Sequence, residues 1–454
     1  MVRTRNIDGR GTRDVLRRTI GLIGTLAVLG AACGSHPTGG PSPRGSRSAG
    51  QPSPPGSPQQ VSREQAWTDD ISYLMERMQA LHPDLYHGVS ETGLTDAADS
   101  LITEVPELRD DQILAGVMHV VALISSNGRD GHMGVWPPDN PIAVHRYPIR
   151  VWEFPDGLYV TAARVPNQDL VGARITAIDG VPIREVLRRL DPVVPRDNGS
   201  GVRAARTVFL TSGEVLSGLG IATEATRIEV DVALPGGSAR TATVRAVDAA
   251  TFAAWVGGWE LALPPRRDML LLRDPKDHWA RFIQPARALY VQYNEVRPDS
   301  SDVVEEIRAE RSSHRVERMV IDLRNNGGGQ AEGYRTLLNY LAEHARDLPG
   351  GLHVLIGRLT FSAAASFVAE IERKVPGAIF VGEATGGSPN YWADVATVTL
   401  PHSGLTALVS TTYEGYGTPN DPRLAVEPDV PVDLTSGDYF SGRDPALDAA
   451  LGSP

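Results

Sequence analysis

From Ala288 onward the chain alternates between short apolar runs and stretches with helical spacing. "ALYVQY", "RMVIDL", "HVLI" and "AIFV" read as strands, and residues 302–312, 331–345 and 363–373 between them read as helices. Strands separated by helices do not pair as hairpins; each returns by a crossover to lie parallel to the one before. This pattern confines the C-terminal part to an α/β fold on a mostly parallel sheet. A later pair, "VATVTL" and "LTALVST" joined through "PHSG", reads as an antiparallel hairpin.

Two other regions precede this core, which is placed at 285–440. Residues 62–130 read as helical. Ser62 and Gln65 form a capping-box pattern ahead of Trp67, Ile71, Leu74, Met75, Met78 and Leu81 on one face, and the helix stops at His82-Pro83. A second apolar pattern runs through Ile113, Val117, Val121 and Ile124. Residues 147–247 read as β-rich, with "IRVWEF", "LYVTAA", "ARITAIDG" and "RIEVDVAL" parted by Asp-Gly, Gly-Gly and Pro turns. Within them, a strand, the Asp179-Gly180 turn and a helix resemble the carboxylate-loop and helix segment of PDZ-like domains.

The N-terminus differs in kind. Arg3, Arg5, Arg10, Arg13, Arg17 and Arg18 precede an uncharged apolar run from Thr19 to Ala32, shorter than the roughly 20 residues of a bilayer span but suited to a signal-peptide core. The run ends in "VLGAACGS", which resembles a bacterial lipobox, although Gly30 stands where Leu is usual. Arg17-Arg18 loosely resembles a twin-arginine signal. Cys33 is the only cysteine in the chain, so residues 1–33 read as a signal peptide ending at a lipidation site. Residues 34–61 read as a linker, since 19 of the 25 residues 34–58 are Gly, Pro or Ser. The expected location is the cell envelope, with a lipid anchor on the outer face of the bacterial cytoplasmic membrane. Net charge is −11 without a basic stripe, which argues against a nucleic-acid partner. Oligomeric state is not readable.

Two loops leave strands of the parallel sheet, at the edge where such folds place ligands. "VIDLRNNGGGQ" carries Gly327, Gly328 and Gly329, which let the backbone turn sharply and present N–H groups to an anion. It contains neither GxxxxGK[ST] nor GxGxxG, so a nucleotide is not implied. "LTFSAAASF" places Ser362 at the start of a helix. There it is either an ordinary N-cap or a nucleophile beside unpaired amides, left uncovered by Ala363, Ala364 and Ala365. A nucleophilic serine needs a base. The chain has only two lysines: Lys374 lies about 18 Å along the same helix, and Lys276 lies outside the core. Among the eleven histidines, His132 in the Gly-rich "GRDGHMG" is the best placed base, and His402 in the hairpin turn is its rival.

Taken in order, "DGHMGV", the PDZ-like segment, "VIDLRNNGGG", "LTFSAAASF", "VGEATGGSPN" and "VEPDVPV" resemble the S41 family of serine peptidases, which includes C-terminal processing (tail-specific) proteases and the tricorn core protease. The resemblance covers roughly residues 65–435. It implies a ClpP/crotonase-like α/β core with an N-terminal helical segment and a PDZ-like β-rich insert. It also implies Ser362 as nucleophile, the Ala363 and Gly328 amides as oxyanion hole, and a peptide or protein substrate, with no cofactor and no metal. Processing proteases of the family use a lysine near the position of "TGGSPN", which here offers only Gly387 and Ser388. The tricorn-like branch uses a histidine of a "D.H" segment, matched by His132, and a downstream glutamate, matched by Glu414 in preference to Glu427. The implied activity is peptide hydrolysis through an acyl-enzyme. The alternatives are an inactive relative that binds peptides or apolar ligands in the same groove, and a purely structural envelope lipoprotein.

Overall fold

The computed structural model describes residues 61–257, 262–274, 276–418 and 421–452. The expected export signal, Cys33 and the linker up to residue 60 lie outside the described residues.

The strand–helix alternation folds as its spacing predicts. Strands Ala288–Tyr293, Arg318–Asp322, Leu352–Ile356, Ile379–Gly382 and Val430–Pro431 lie side by side and parallel, in chain order. One edge is extended by His278–Ile283, paired antiparallel to Ala288–Tyr293, a strand that the sequence reading does not include. Side chains alternate across the sheet. Leu289, Val291, Ile321, Val354 and Ile356 face helices Ser301–Ser313, Arg335–His344 and Ala363–Lys374. Tyr290, Val320, Leu355 and Val381 face helix Pro445–Leu451 on the other side. Covering both faces explains why these strands read as continuous apolar runs, each fully buried Leu, Ile or Val contributing about 1.5–3 kcal/mol.

The first helix, Arg63–Leu81, buries Trp67, Ile71, Leu74 and Met78. Its N-terminus is half of the expected capping box: Ser62 Oγ accepts from the Gln65 N–H, while the Gln65 side chain bonds Asp69 instead. Helices Glu91–Glu104 and Asp110–Ala122 pack beside it. The β-rich region forms an antiparallel sheet in the order Ile149–Phe154, Gly157–Ala163, Arg174–Ile178, Arg227–Ala233, Ala239–Arg245. The Asp179-Gly180 turn forms with both residues at positive φ, 44° and 74°, and leads into helix Ile183–Leu190. Helices Gly199–Phe209 and Gly213–Gly218 follow inside this nominally β region, and the helical and β-rich regions share one hydrophobic core.

The hairpin Asn390–Thr399 and Thr406–Gly415 joins the two halves of the molecule. At its turn end, Val398, Leu400, Leu405, Ala407 and Val409 sit in that shared N-terminal core. Its other end, with Tyr391 and Trp392, reaches the carboxyl edge of the parallel sheet.

Candidate active site

Ser362 does not cap its helix. It is the residue preceding Ala363–Lys374, but its side chain makes no capping hydrogen bond. Its backbone lies at φ 52°, ψ −131°, and the Ala364 N–H donates to Phe361 O at 3.0 Å. These values are those of the first central residue of a type II′ turn, where glycine is normally required. A serine held there costs on the order of 1–3 kcal/mol and persists only because its surroundings dictate it. Thr360 Oγ1 donates to Leu323 O and accepts from the Gly357 N–H, and the Phe361 N–H donates to Asn326 O. The turn is thereby tied to the strand end that carries the glycine loop.

That loop closes against Ser362. Gly328 has φ 107°, and a Cβ on it would lie 2.6 Å from Ser362 Cβ and 3.0 Å from the Ala363 N. Gly329, at φ 134°, brings its Cα to within reach of Val296 O, which a Cβ would approach to 2.1 Å. Among the described residues the Ala363 amide has no acceptor, as an oxyanion donor requires. The Gly328 amide differs from expectation: it donates to Asn326 Oδ1 at 2.9 Å. Asn326 is fully buried, and its Nδ2 donates to Tyr293 O at 2.8 Å, so it staples the loop to the neighbouring strand.

His132 reaches this place from more than two hundred residues upstream. Its ring centroid lies 4.5 Å from that of Phe361, the residue before the serine, and 5.3 Å from that of Tyr391, on which it stacks at 14°. The Tyr391 hydroxyl bonds Ser366 Oγ at 2.8 Å, one turn along the helix from Ser362. His132 Nδ1 is buried and has no partner. Burial pushes the imidazole down to about 4, against the upward pull of Asp130, the Trp392 backbone and Asp394. No hydrogen bond joins His132 to Ser362 among the described residues.

The loop around His132 is fastened on every side. The Arg129 N–H donates to Asp197 O, the Trp392 N–H to Arg129 O, and the Gly131 N–H to Asp197 Oδ1 at 2.6 Å. Gly134 and Leu408 exchange N–H···O bonds of 3.0 and 2.8 Å. Asp197 also accepts from the Ser388 N–H at 2.8 Å, linking this loop to "TGGSPN"; its burial raises it to about 7.

The remaining expected residues are placed as follows. Gly387 lies against the serine turn, where a Cβ would meet Ala365 Cβ at 2.8 Å. The two lysines are elsewhere, Lys276 beside Asp274 at 3.3 Å and Lys374 beside Glu370 at 2.7 Å. His402 lies at the far end of the hairpin, its amide donating to Asp70 and its ring near Asp69. Glu427 is exposed. Glu414 pairs with Tyr391 across the hairpin and interacts with Tyr416, but makes no hydrogen bond to His132 among the described residues.

One cluster was not singled out in the sequence. His82 Nε2 and His87 Nε2 lie 3.1 and 3.4 Å from Asp130 Oδ2, a grouping with the spacing of metal ligands. Hydrogen-bond direction speaks against a metal. The Asp84 N–H donates to His82 Nδ1 at 3.1 Å, so neutral His82 carries its proton on Nε2, the atom that faces Asp130.

No protein-family model matches the sequence, and no curated protein matches it. Solved structures do. Mature CPAF complexed with lactacystin aligns over 86% of this chain and 98% of its own at 15% identity, with a TM-score of 0.59. A second crystal structure of mature CPAF aligns over 85% of this chain and 97% of its own at 15% identity, with a TM-score of 0.57. The photosystem II D1 C-terminal processing protease aligns over 87% and 98% at 16% identity, with a TM-score of 0.41. These neighbours are S41-family peptidases. The chain therefore has, over nearly all of its described length, the fold of an S41-family peptidase of the CPAF type.

Proposed function

We propose that the protein is a serine peptidase of the S41 type that acts without a Ser–Lys dyad. The observation that carries this reading is Ser362: its hydroxyl caps nothing, and its backbone is held in a glycine-like turn against the Gly328 loop and beside His132. In acylation Ser362 Oγ bonds the substrate carbonyl carbon and its proton passes to His132. The Ala363 N–H meets the developing oxyanion, and the Gly328 N–H joins by exchanging Asn326 Oδ1 for it. The tetrahedral adduct collapses, the proton moves from His132 to the leaving amine, and water then releases the acyl group by the same route. Glu414 is the proposed third member, orienting the imidazolium.

The test is fluorophosphonate labelling of wild type, Ser362→Ala and His132→Ala, with lactacystin as a second probe because CPAF was solved with it. Labelling of wild type that is lost in Ser362→Ala and sharply slowed in His132→Ala is the expected result. A wild type unlabelled across neutral pH would put the second reading ahead, a peptide- or apolar-ligand-binding relative. That reading is favoured by two observations: the Gly328 N–H is already bonded, and no hydrogen bond joins Ser362 to His132 among the described residues.

We further propose export with a lipid anchor on Cys33, and with it the location at the outer face of the cytoplasmic membrane. Cys33→Ala should move the protein from the membrane to the soluble fraction.

A further inference from the structure

We propose that Asp130 is a positioning residue for His132: its buried carboxylate locks the His132 loop between the two halves of the molecule and presents a fixed negative charge to the imidazolium formed in acylation. The proposal rests on the reading of His132 as the base.

Three donors from two distant parts of the chain converge on this one carboxylate. His82 and His87 donate to Oδ2, and Ser410 Oγ donates to Oδ1 at 2.6 Å. The Asp130 and His82 side chains have no exposed surface. A buried carboxylate with three donors is held as an anion, and the donors keep it below the usual carboxylate range even though burial, the largest influence, acts the other way. Trp392 covers the pair, its ring 4.6 Å from His82 and 5.6 Å from His87. Asp130 therefore does not need a proton at any stage. It stays ionised while Ser362's proton moves to His132 and on to the leaving group.

Among the described residues, the other charged groups near the loop include Asp197, Asp394, Glu414 and Arg129, whose guanidinium donates to Asp421 O at 2.9 Å. Asp197 is spent on two backbone amides, and burial disfavours its charge. Asp394 acts on His132 more weakly than Asp130 does. Glu414 is engaged with Tyr416.

Asp130→Asn isolates the charge. The asparagine Oδ1 can take the place of Oδ2 and accept from His82, while Nδ2 donates to Ser410 Oγ, so the loop keeps its fastenings. Two measurements are made. In the first, the rate of fluorophosphonate labelling is followed against pH for wild type, Asp130→Asn and Ser410→Ala. Asp130→Asn is expected to lower the plateau by about tenfold or more and to move the acid limb to lower pH, whereas a merely structural role would lower the melting temperature and leave the limb in place. In the second, ¹⁵N-histidine spectra of Ser362→Ala protein report the His132 titration without any catalysis. There Asp130→Asn should move it down. If wild type is not labelled, the peptidase reading falls while the spectra still decide whether Asp130 acts on His132. An unmoved His132 titration in Asp130→Asn overturns the proposal. If Asp130→Asn fails to fold, Ser410→Ala, which removes the donor to Oδ1 and loosens the loop, should slow labelling several-fold, and unchanged labelling then overturns the proposal.

Discussion

The Cβ that Gly328 lacks would lie 2.6 Å from Ser362 Cβ, closer than two such atoms ever pack. The serine turn and the glycine loop are thus built to a mutual distance that admits a hydrogen at that position and nothing larger. Gly328→Ala combines this clash with a positive φ that alanine resists. It should reduce fluorophosphonate labelling by roughly 100-fold or more, the scale of a lost oxyanion donor, and lower the melting temperature.

The φ of 52° at Ser362 makes a separate prediction about stability. Ser362→Gly and Ser362→Ala both remove the hydroxyl, but only glycine occupies this turn without strain. In denaturant titrations Ser362→Gly should be the more stable of the two, by about 1 kcal/mol. Equal stabilities would show that the turn relaxes in solution.

Because burial holds His132 near 4, it is neutral and able to accept a proton well into the acid range. The acid limb of labelling should therefore lie well below pH 6.5, near pH 4 to 5, with little change between pH 6 and 7.5. The sign for stability follows. The folded imidazole titrates below its unfolded value, so its contribution is complete above about pH 6.5 and is lost as pH falls toward 4. His132→Phe should flatten that part of the stability profile, measured by chemical denaturation.

Tyr391 supports His132 with its ring and the serine helix with its hydroxyl. Tyr391→Phe keeps the ring and loses one hydrogen bond, about 1 kcal/mol of stability, with labelling changed only a few-fold. Tyr391→Ala should slow labelling by tenfold or more. If the two variants label alike, the stacking is not what holds His132.

Much of this was legible because it is local. Strand–helix alternation, the Asp179-Gly180 turn, the glycines that abut the serine and the His82-Pro83 stop all depend on neighbours a few residues away. The strand His278–Ile283 was missed because its partly buried, mixed pattern has no clean period. The three helices between Ile183 and Gly218 were underestimated for a different reason, since one short amphipathic helix in a region of hairpins gives little sign of the next two. At the site, Ser362 and His132 stood out by type and loop, but nothing in "NNGGG" says that Asn326 will bond the Gly328 amide. Likewise "LHPDLYHG" and "RDGHMG" each look like loops with polar residues. That two histidines of one should close on the aspartate of the other is a property of the folded chain.

The hairpin that carries Tyr391 and Trp392 also carries Ser410, bonded to an aspartate 280 positions earlier. During synthesis, a chain extended only through the serine helix already contains Ser362, the glycine loop and His132, yet lacks the strands that fasten His132 over them. The site is assembled only once residues 390–415 have been made and the hairpin has folded back across both halves. A chain that stops short of the hairpin therefore carries Ser362, the Gly328 loop and His132 without the contacts that hold them together.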